Sequence, residues 1–230
     1  MKQVFSITFT GQAGFIFQLP LGYRIGIDLY LSDCCQRYFG FKRLLPFLYD
    51  PIKLNLDLLL ATHAHYDHFD PESISKIKND NTIVVGPKSM EDIIGNIEFK
   101  DYIYLNPNEE INIAGINIKT IPAYNNEKSF HPRENNWLGY IISYNSILYY
   151  IAGDTDKTKE NETVKCDIAF VPIGGYYTMD VNEATKLLEI MNPKVVIPIH
   201  YGSIVGDKEF GRELKDNLIN SDIEVVEKLF

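Results

Sequence analysis

The chain has 230 residues, of which 45% are hydrophobic and 23% are charged, as in an ordinary globular protein. Lysine and arginine number 22 against 31 acids, which gives a net charge of −9. A field of that sign repels phosphate backbones, so we expect no nucleic-acid partner.

The sequence offers no sign of a membrane or secreted protein. Apolar runs stay well short of the roughly 20 residues that span a bilayer, and residues 1–5 lack the regions of a signal peptide. Three cysteines cannot all pair, and the adjacent Cys34 and Cys35 disfavour a strain-free bridge. A reduced, cytoplasmic protein without a membrane partner is the simplest interpretation. A metal-binding or redox role for Cys34 and Cys35 is the alternative.

Short β-rich runs punctuated by glycine and proline alternate with helical patterns along the whole chain. The predicted strands are residues 4–9, 14–19, 23–29, 56–61, 81–85, 102–105, 111–114, 116–121, 138–144, 147–151, 168–172, 195–199 and 223–226. The predicted helices are residues 70–78, 87–94, 180–191 and 208–220. The pattern is compatible with two sheets covered by helices.

Local signals set several of these boundaries. Asp70 has the position of a helix N-cap, and Asp180 with Glu183 resembles a capping box. Asn145 and Ser146 separate two strands and predict a hairpin.

Two segments have no clear period. Residues 30–55 predict a loop, and loops of that length are usually functional or mobile, so we expect it to lie over the functional site. Lys42 and Arg43 within it belong to that cover or form a solvated basic surface. Residues 122–137 are polar and irregular and contain His131.

The most informative stretch directly follows the apolar run 56–61. His63, His65, Asp67 and His68 place four potential metal ligands within six residues, and the chain has only 5 histidines. In an extended chain, His63 and His65 leave the same side of the backbone. Imidazole and carboxylate ligands together suit zinc, and also manganese or iron. The sequence therefore predicts a site for one or two divalent ions.

Two further candidate ligands follow other predicted strands. Asp154 comes after residues 147–151, and His200 comes after residues 195–199. Alone, Asp154 is typical of a turn residue and His200 of a satisfied core residue. Together with the histidine-rich stretch they indicate a shared site at strand ends, where α/β proteins commonly place their chemistry.

The spacing His63-x-His65-x-Asp67-His68 after an apolar strand resembles the signature of the metallo-β-lactamase superfamily. The resemblance implies an α/β fold, a four-layer αββα sandwich, in a single domain over residues 1–230. It also implies that His63, His65 and a middle histidine hold one metal. Asp67, His68 and His200 would hold the other, with Asp154 as the bridge.

The middle histidine departs from this resemblance. Many relatives carry a histidine soon after a middle strand, where this chain has Tyr124 and Asn125. Either His131 folds back to fill the position, or the first metal has one ligand fewer. The amide oxygen of Asn125 is a weak zinc ligand, so we favour His131.

Other stretches are similar to the group that contains L-ascorbate-6-phosphate lactonase. They include Asp28 with Tyr30, Lys42 with Arg43, residues 172–179 and residues 198–202. Members of this superfamily differ widely in substrate, so the fold alone does not fix the function.

The leading hypothesis is a metal-dependent hydrolase that acts on an ester, lactone or phosphoester bond of a small molecule. Divalent ions, zinc before manganese or iron, would lower the pKa of a water molecule and make it a nucleophile. Asp67 would be a ligand and would orient that nucleophile. Tyr176 or Tyr177 either hydrogen-bonds the developing oxyanion or packs. No further cofactor is expected, and a homo-oligomer is left open.

The alternatives are a mononuclear-iron redox enzyme and a metal-binding scaffold without catalysis. A nuclease is disfavoured, because related RNA-processing enzymes carry a large inserted domain and basic surfaces. This acidic chain has little room for either.

Overall fold

The computed structural model describes residues 6–77 and 81–227, which form two compact units. One unit lies within Met1–Leu105 and the other within Asn106–Phe230. The predicted strand start at residues 4–5 and the predicted helix end at Lys78 fall outside the described residues. A single domain over residues 1–230 stays a prediction.

In the described part of the first unit, the strands form one sheet in chain order. They are β1 (Ser6–Gly11), β2 (Gly14–Gln18), β3 (Arg24–Ile27), β4 (Leu58–Leu60), β5 (Ile83–Pro87) and β6 (Asp101–Leu105). The first three pair antiparallel, and β3 to β6 pair parallel. Ile27 pairs with Leu60, so the chains that leave β3 and β4 start side by side at one edge of the sheet.

The helices of the first unit are short. They are α1 (Cys34–Phe39), α2 (Pro71–Ile74) and α3 (Glu91–Ile94), with 3-10 turns at Pro20–Gly22, Pro51–Lys53 and Lys88–Met90. The Asp70 carboxylate accepts hydrogen bonds from the backbone N–H groups of Glu72 and Ser73, which confirms the predicted N-cap of α2.

The prediction of an unstructured loop over residues 30–55 is wrong at α1. The Ser32 hydroxyl oxygen accepts a hydrogen bond from the Cys34 N–H at 3.0 Å. Gly40, at φ +78°, ends the helix in the left-handed conformation that glycine adopts without a steric penalty. The helix between these two signals has only six residues, too few for an apolar period to appear in the sequence.

A solvated basic surface is also wrong for Arg43, although Lys42 is exposed. The Arg43 side chain is buried and donates to the carbonyl oxygens of Tyr30 and Ser32 at 3.0 and 3.1 Å. Its guanidinium also lies 4.5 Å from the centre of the Tyr30 ring. Arg43 therefore acts as a structural tie within the segment.

All three cysteines lie in the described part of the chain and are free thiols. Cys34 and Cys35 are buried. The hydrogen bond with Cys34, together with burial, raises the pKa of the Cys35 thiol well above its ordinary value. Because the thiolate is the form that binds metal and reacts, this surrounding disfavours both roles for Cys35.

In the described part of the second unit, the strands also form one sheet in chain order. They are β7 (Glu110–Ile113), β8 (Ile116–Pro122), β9 (Leu138–Tyr144), β10 (Ile147–Ile151), β11 (Ile168–Pro172), β12 (Val195–Ile199) and β13 (Glu224–Val225). Strands β7 to β10 pair antiparallel and β10 to β13 pair parallel. Both sheets therefore change from antiparallel to parallel pairing along the chain. Asn145 and Ser146 form the predicted hairpin turn, with φ +50° and +63°.

Two longer helices pack in the second unit, α4 (Val181–Met191) and α5 (Phe210–Asn217), with 3-10 turns at Arg133–Asn135 and Asn161–Thr163. Asp180 caps α4 by accepting from the Glu183 N–H at 2.8 Å. The Glu183 carboxylate accepts instead from the Lys157 N–H, so the predicted capping box is only half formed. With 11 residues, α4 is the longest described helix, and none of the described helices is long and apolar enough to cross a membrane.

Candidate metal centre

The candidate ligands are described within each unit. The first ligand set, in the first unit, comprises His63, His65, Asp67 and His68. The second ligand set, in the second unit, comprises His131, Asp154 and His200. Members of both sets follow strands that pair parallel to a neighbour. The ends of such strands form the edge of the sheet where α/β proteins place their sites.

The first ligand set lies on a loop that leaves β4 and turns into α2. The His65 carbonyl oxygen accepts hydrogen bonds from the N–H groups of His68 and Phe69 at 2.9 and 2.8 Å. This tight turn explains how four candidate ligands fit within six residues without a regular element. The loop ends at the Asp70 cap of α2, which fixes its far end.

His63 and His65 face one another through their rings. The Nε2 atom of His63 lies 3.1 Å from the Nδ1 atom of His65. The Thr62 hydroxyl donates its single proton to Asp28 at 2.7 Å, so its oxygen accepts from the His63 Nδ1–H at 2.9 Å. This assignment leaves the Nε2 atom of His63 unprotonated, as a metal ligand must be.

Asp28 holds His68 through its Nδ1 atom, as Thr62 holds His63. Its Oδ2 atom lies 2.8 Å from the His68 Nδ1 atom, and both side chains are buried. Asp28 also accepts from the Thr62 N–H at 2.8 Å. A carboxylate behind Nδ1 turns the Nε2 atom outward and raises its basicity, which is the usual support of a histidine that binds metal.

Asp67 is positioned by a residue that precedes it by 55 positions. The Gln12 amide nitrogen donates to the Asp67 Oδ2 atom at 2.9 Å. Gln12 is buried in the turn between β1 and β2 and has φ +51°. The same Asp67 oxygen lies 3.9 Å from the His68 Nε2 atom, so the carboxylate and the imidazole are aimed at a common region.

In the second unit, Asp154 brings together the two histidines of the second ligand set. Its Oδ2 atom lies 3.2 Å from the His131 Nε2 atom and 3.0 Å from the His200 Nε2 atom. All three side chains are buried. The predicted proximity of Asp154 to His131 and His200 is therefore found within this unit.

Asn125 supports His131. Its amide nitrogen donates to the Asp156 carboxylate at 2.9 Å and to the Tyr177 carbonyl at 3.0 Å, and both of these groups only accept. The amide oxygen therefore faces the His131 Nδ1–H, at 2.9 Å, and also accepts from the His131 backbone N–H. Asn125 is thus a hydrogen-bond partner of His131, and the Nε2 atom of His131 is directed at Asp154.

His200 has an unusual backbone. It follows β12 directly and adopts φ +57°, a left-handed conformation that is uncommon for a bulky side chain. Gly174 packs so closely that a Cβ atom there would lie 2.3 Å from the His200 carbonyl oxygen. Such strain persists where the surrounding structure fixes it, and it concentrates at functional sites.

The two predicted catalytic tyrosines lie in a ring cluster beside His131. Phe130 contacts the rings of Tyr176 and Tyr177, at centroid distances of 5.5 and 4.6 Å. Tyr176 is 69% exposed, whereas Tyr177 is half-buried. The Tyr177 backbone carbonyl accepts from the Asn125 amide, which also contacts His131, so Asn125 links the backbone at Tyr177 to the second ligand set.

Two supporting residues, Gln12 and Asp28, were missed as parts of the site in the sequence, and Asn125 was considered there only as a weak ligand. Asp28 follows β3 directly, as several candidate ligands follow strands, and this position was the available signal. Gln12 gives no such signal, because its contact with Asp67 depends on the folded sheet.

The donor sets fit a metal ion. Two ligand atoms at a tetrahedral angle, each about 2.0–2.1 Å from zinc, lie about 3.3 Å apart. The measured separations of 3.1 Å in the first set, and of 3.0 and 3.2 Å in the second, are close to that value. The imidazole and carboxylate chemistry suits zinc and, with different preferences, manganese and iron.

Comparison with known proteins agrees with the fold and the site chemistry. The β-lactamase superfamily domain matches residues 6–200 of the chain. The chain belongs to the metallo-β-lactamase superfamily, as its histidine motif predicted. Over 186 residues it is 35% identical to a UPF0173 metal-dependent hydrolase of Thermoplasma acidophilum, covering 75% of this chain and 81% of that protein. It is thus a member of the UPF0173 family of metal-dependent hydrolases.

Solved structures show the same fold. A proposed metal-dependent hydrolase from Parabacteroides distasonis superposes with a TM-score of 0.81 at 28% identity, over 98% of this chain and 93% of its own. The metallo hydrolase Igni18 of Ignicoccus hospitalis gives 0.72 at 24% identity, over 97% and 95%. The predicted α/β class of the metallo-β-lactamase type is confirmed, and the lactonase-like branch stays a prediction.

Proposed function

We propose that this chain hydrolyses an ester, lactone or phosphoester bond of a small molecule with the aid of one or two divalent metal ions, zinc before manganese or iron. The seven residues of the two ligand sets are the proposed metal ligands. When bound, the metal supplies Lewis acidity and lowers the pKa of a water molecule towards neutrality.

The observation that carries the proposal is the arrangement around His131. Asn125 accepts from Nδ1–H, so the ring directs its Nε2 atom towards a carboxylate oxygen of Asp154, 3.2 Å away. That separation is close to the distance between two ligand atoms of one tetrahedral zinc ion. His63 and His68 show the same support at Nδ1, from Thr62 and Asp28.

The chain's own residues have distinct tasks in this proposal. Gln12 fixes the Asp67 carboxylate, which in turn accepts a proton from the attacking water or orients that water. The exposed Tyr176 hydroxyl, or that of Tyr177, donates a hydrogen bond to the oxyanion that develops on the substrate. Asp28 and Asn125 keep two imidazoles in the tautomer that binds metal.

A cytoplasmic location and a small-molecule substrate remain part of the proposal, as does the absence of a nucleic-acid partner. The three free thiols and the net charge of −9 support it. Self-association into a homo-oligomer stays open.

The test combines metal content with activity. Protein purified without chelator is expected to carry about one or two divalent ions per chain. His63→Ala and His200→Ala, one variant from each ligand set, should each lower that content and abolish hydrolysis of an ester, lactone and phosphodiester panel. Asp216→Asn, an exposed position on α5, is the control. Fewer than about 0.2 ions in wild type, unchanged in both variants, refutes the proposal.

A further inference from the structure

The first unit exposes an unusual amount of apolar surface near the first ligand set. Of the fourteen large apolar side chains that are exposed in the described part of the chain, eight lie between Tyr38 and Tyr66. Grouped exposure of this kind marks a binding surface, because isolated apolar side chains are normal whereas groups of them are unfavourable in water.

Three rings form the part of this surface nearest to the ligands. Tyr66, 37% exposed, stands between His65 and Asp67 in the ligand loop. Its ring lies 5.7 Å from that of Tyr38 and 5.5 Å from that of Phe39, which are 60% and 58% exposed at the end of α1. We call Tyr38, Phe39 and Tyr66 the aromatic cluster.

The aromatic cluster is held in place by polar contacts. The Arg37 guanidinium pairs with the carboxylates of Asp33 and Glu72, which ties α1 to the first turn of α2. The Cys34 thiol lies 3.8 Å from the Tyr66 carbonyl oxygen. These contacts fix the backbone that carries the rings, and the rings already contact one another, so less ordering is needed when a flat or apolar group binds.

The position of the cluster indicates what occupies it. Tyr66 lies in the ligand loop between His65 and Asp67, so a group that packs on its ring is close to two proposed ligands. The basic side chains nearby add no net positive field, because the Arg37 guanidinium is paired with two carboxylates, Arg43 is buried and Lys53 lies 3.6 Å from an acid.

We propose that the aromatic cluster is the substrate subsite, and that it takes the aromatic or acyl group of the ester whose bond is cleaved at the metal ligands. This inference rests on the proposed hydrolase function and narrows its substrate class. Phe39 and Tyr66 are specificity-determining residues in it.

The test uses two anionic phosphodiesters that release the same product. Bis(4-nitrophenyl) phosphate and methyl 4-nitrophenyl phosphate differ only in the group that stays on phosphorus. Water adds to phosphorus, the bond to 4-nitrophenolate breaks, and the proton goes to solvent, so no further reactant is needed. The kcat/KM for the aryl substrate divided by that for the methyl substrate therefore measures recognition of the retained group. This ratio is compared between wild type and each variant.

Phe39→Ala and Tyr66→Ala should each lower this ratio by about five- to tenfold, mainly through KM, since each removes part of an aromatic contact. Tyr66→Phe keeps the ring and should keep the ratio. Ile219→Ala removes a 74% exposed side chain in the second unit and is the matched control. Metal content and melting temperature are measured for every variant, so that damage to the ligand loop by Tyr66→Ala is recognised.

Binding of phenylphosphonate and methylphosphonate, measured by calorimetry, separates this inference from the proposed function. If wild type cleaves neither diester, this result counts against the proposed hydrolase function. A preference for phenylphosphonate that Phe39→Ala abolishes would still support the subsite. An equal affinity for both phosphonates, or an unchanged ratio in Phe39→Ala with metal bound, overturns it. The subsite is also overturned if wild type forms a dimer or binds vesicles, and if Phe39→Ala abolishes this while the kcat/KM ratio stays the same. The aromatic cluster would then bind a second copy of the chain or a membrane.

Discussion

Asp28→Asn tests how the Asp28 carboxylate supports the candidate metal centre. The substitution is isosteric, and asparagine tolerates the φ of +46° that Asp28 adopts. The amide oxygen can stay opposite the Thr62 N–H, which places the amide nitrogen opposite the Thr62 hydroxyl and the His68 Nδ1 atom. Nδ1 must then accept, so the ring proton moves to Nε2, the atom that the proposal gives to the metal.

The expected loss is large enough to measure. Replacing such a supporting partner typically lowers metal affinity by about 10- to 100-fold, or about 1.4–2.7 kcal/mol. Chelator competition gives the affinity, and long-range ¹H–¹⁵N NMR of the metal-free protein gives the His68 tautomer. Asp216→Asn makes the same change of charge at an exposed position and should leave both unchanged. An Asp28→Asn protein that keeps Nδ1–H and binds metal within about twofold of wild type would refute the reasoning.

Three other outcomes are expected. Asn125→Ala leaves Asp156 and His131 Nδ1 without their amide partner, so metal affinity should fall by about tenfold and the melting temperature should drop in the metal-free protein too; unchanged metal-free stability would contradict the hydrogen bonds described. Dialysis against EDTA should lower the melting temperature and zinc should restore it, because a ligand that binds only the native state stabilises it; identical melting curves count against a bound metal. Lys194 lowers the pKa of Asp167, so the stabilisation is present above the ordinary carboxyl pKa and is lost as pH falls through the lowered one. Asp167→Asn should destabilise the protein at pH 7 in urea unfolding, and the difference from wild type should shrink as pH falls through the lowered pKa of Asp167; a constant difference would exclude this linkage.

Local signals in the sequence predicted most elements of the fold. Apolar runs located the strands because β10, β11 and β12 are buried on the sheet, and Asp70 and Asp180 marked helix starts through their own side chains. Helix α1 was missed, since its ends depend on Ser32 and Gly40 rather than on a repeating pattern.

The candidate ligands could be chosen from residue type and spacing, whereas their supports could not. Asp28 reaches His68 across 40 positions and Gln12 reaches Asp67 across 55, and both contacts depend on which strands are neighbours. The sequence could not show which way the Asn125 amide faces, because the acceptors Asp156 and the Tyr177 carbonyl, which determine it, are distant in the chain.

The left-handed backbone of His200 implies a conflict between durability and catalysis. Glycine or asparagine would occupy φ +57° more comfortably, by about 1 kcal/mol for a residue of this kind. His200→Asn is therefore expected to relieve the backbone strain at this position while it weakens binding of the proposed metal ion. Selection for thermal stability alone would not favour a histidine at this position.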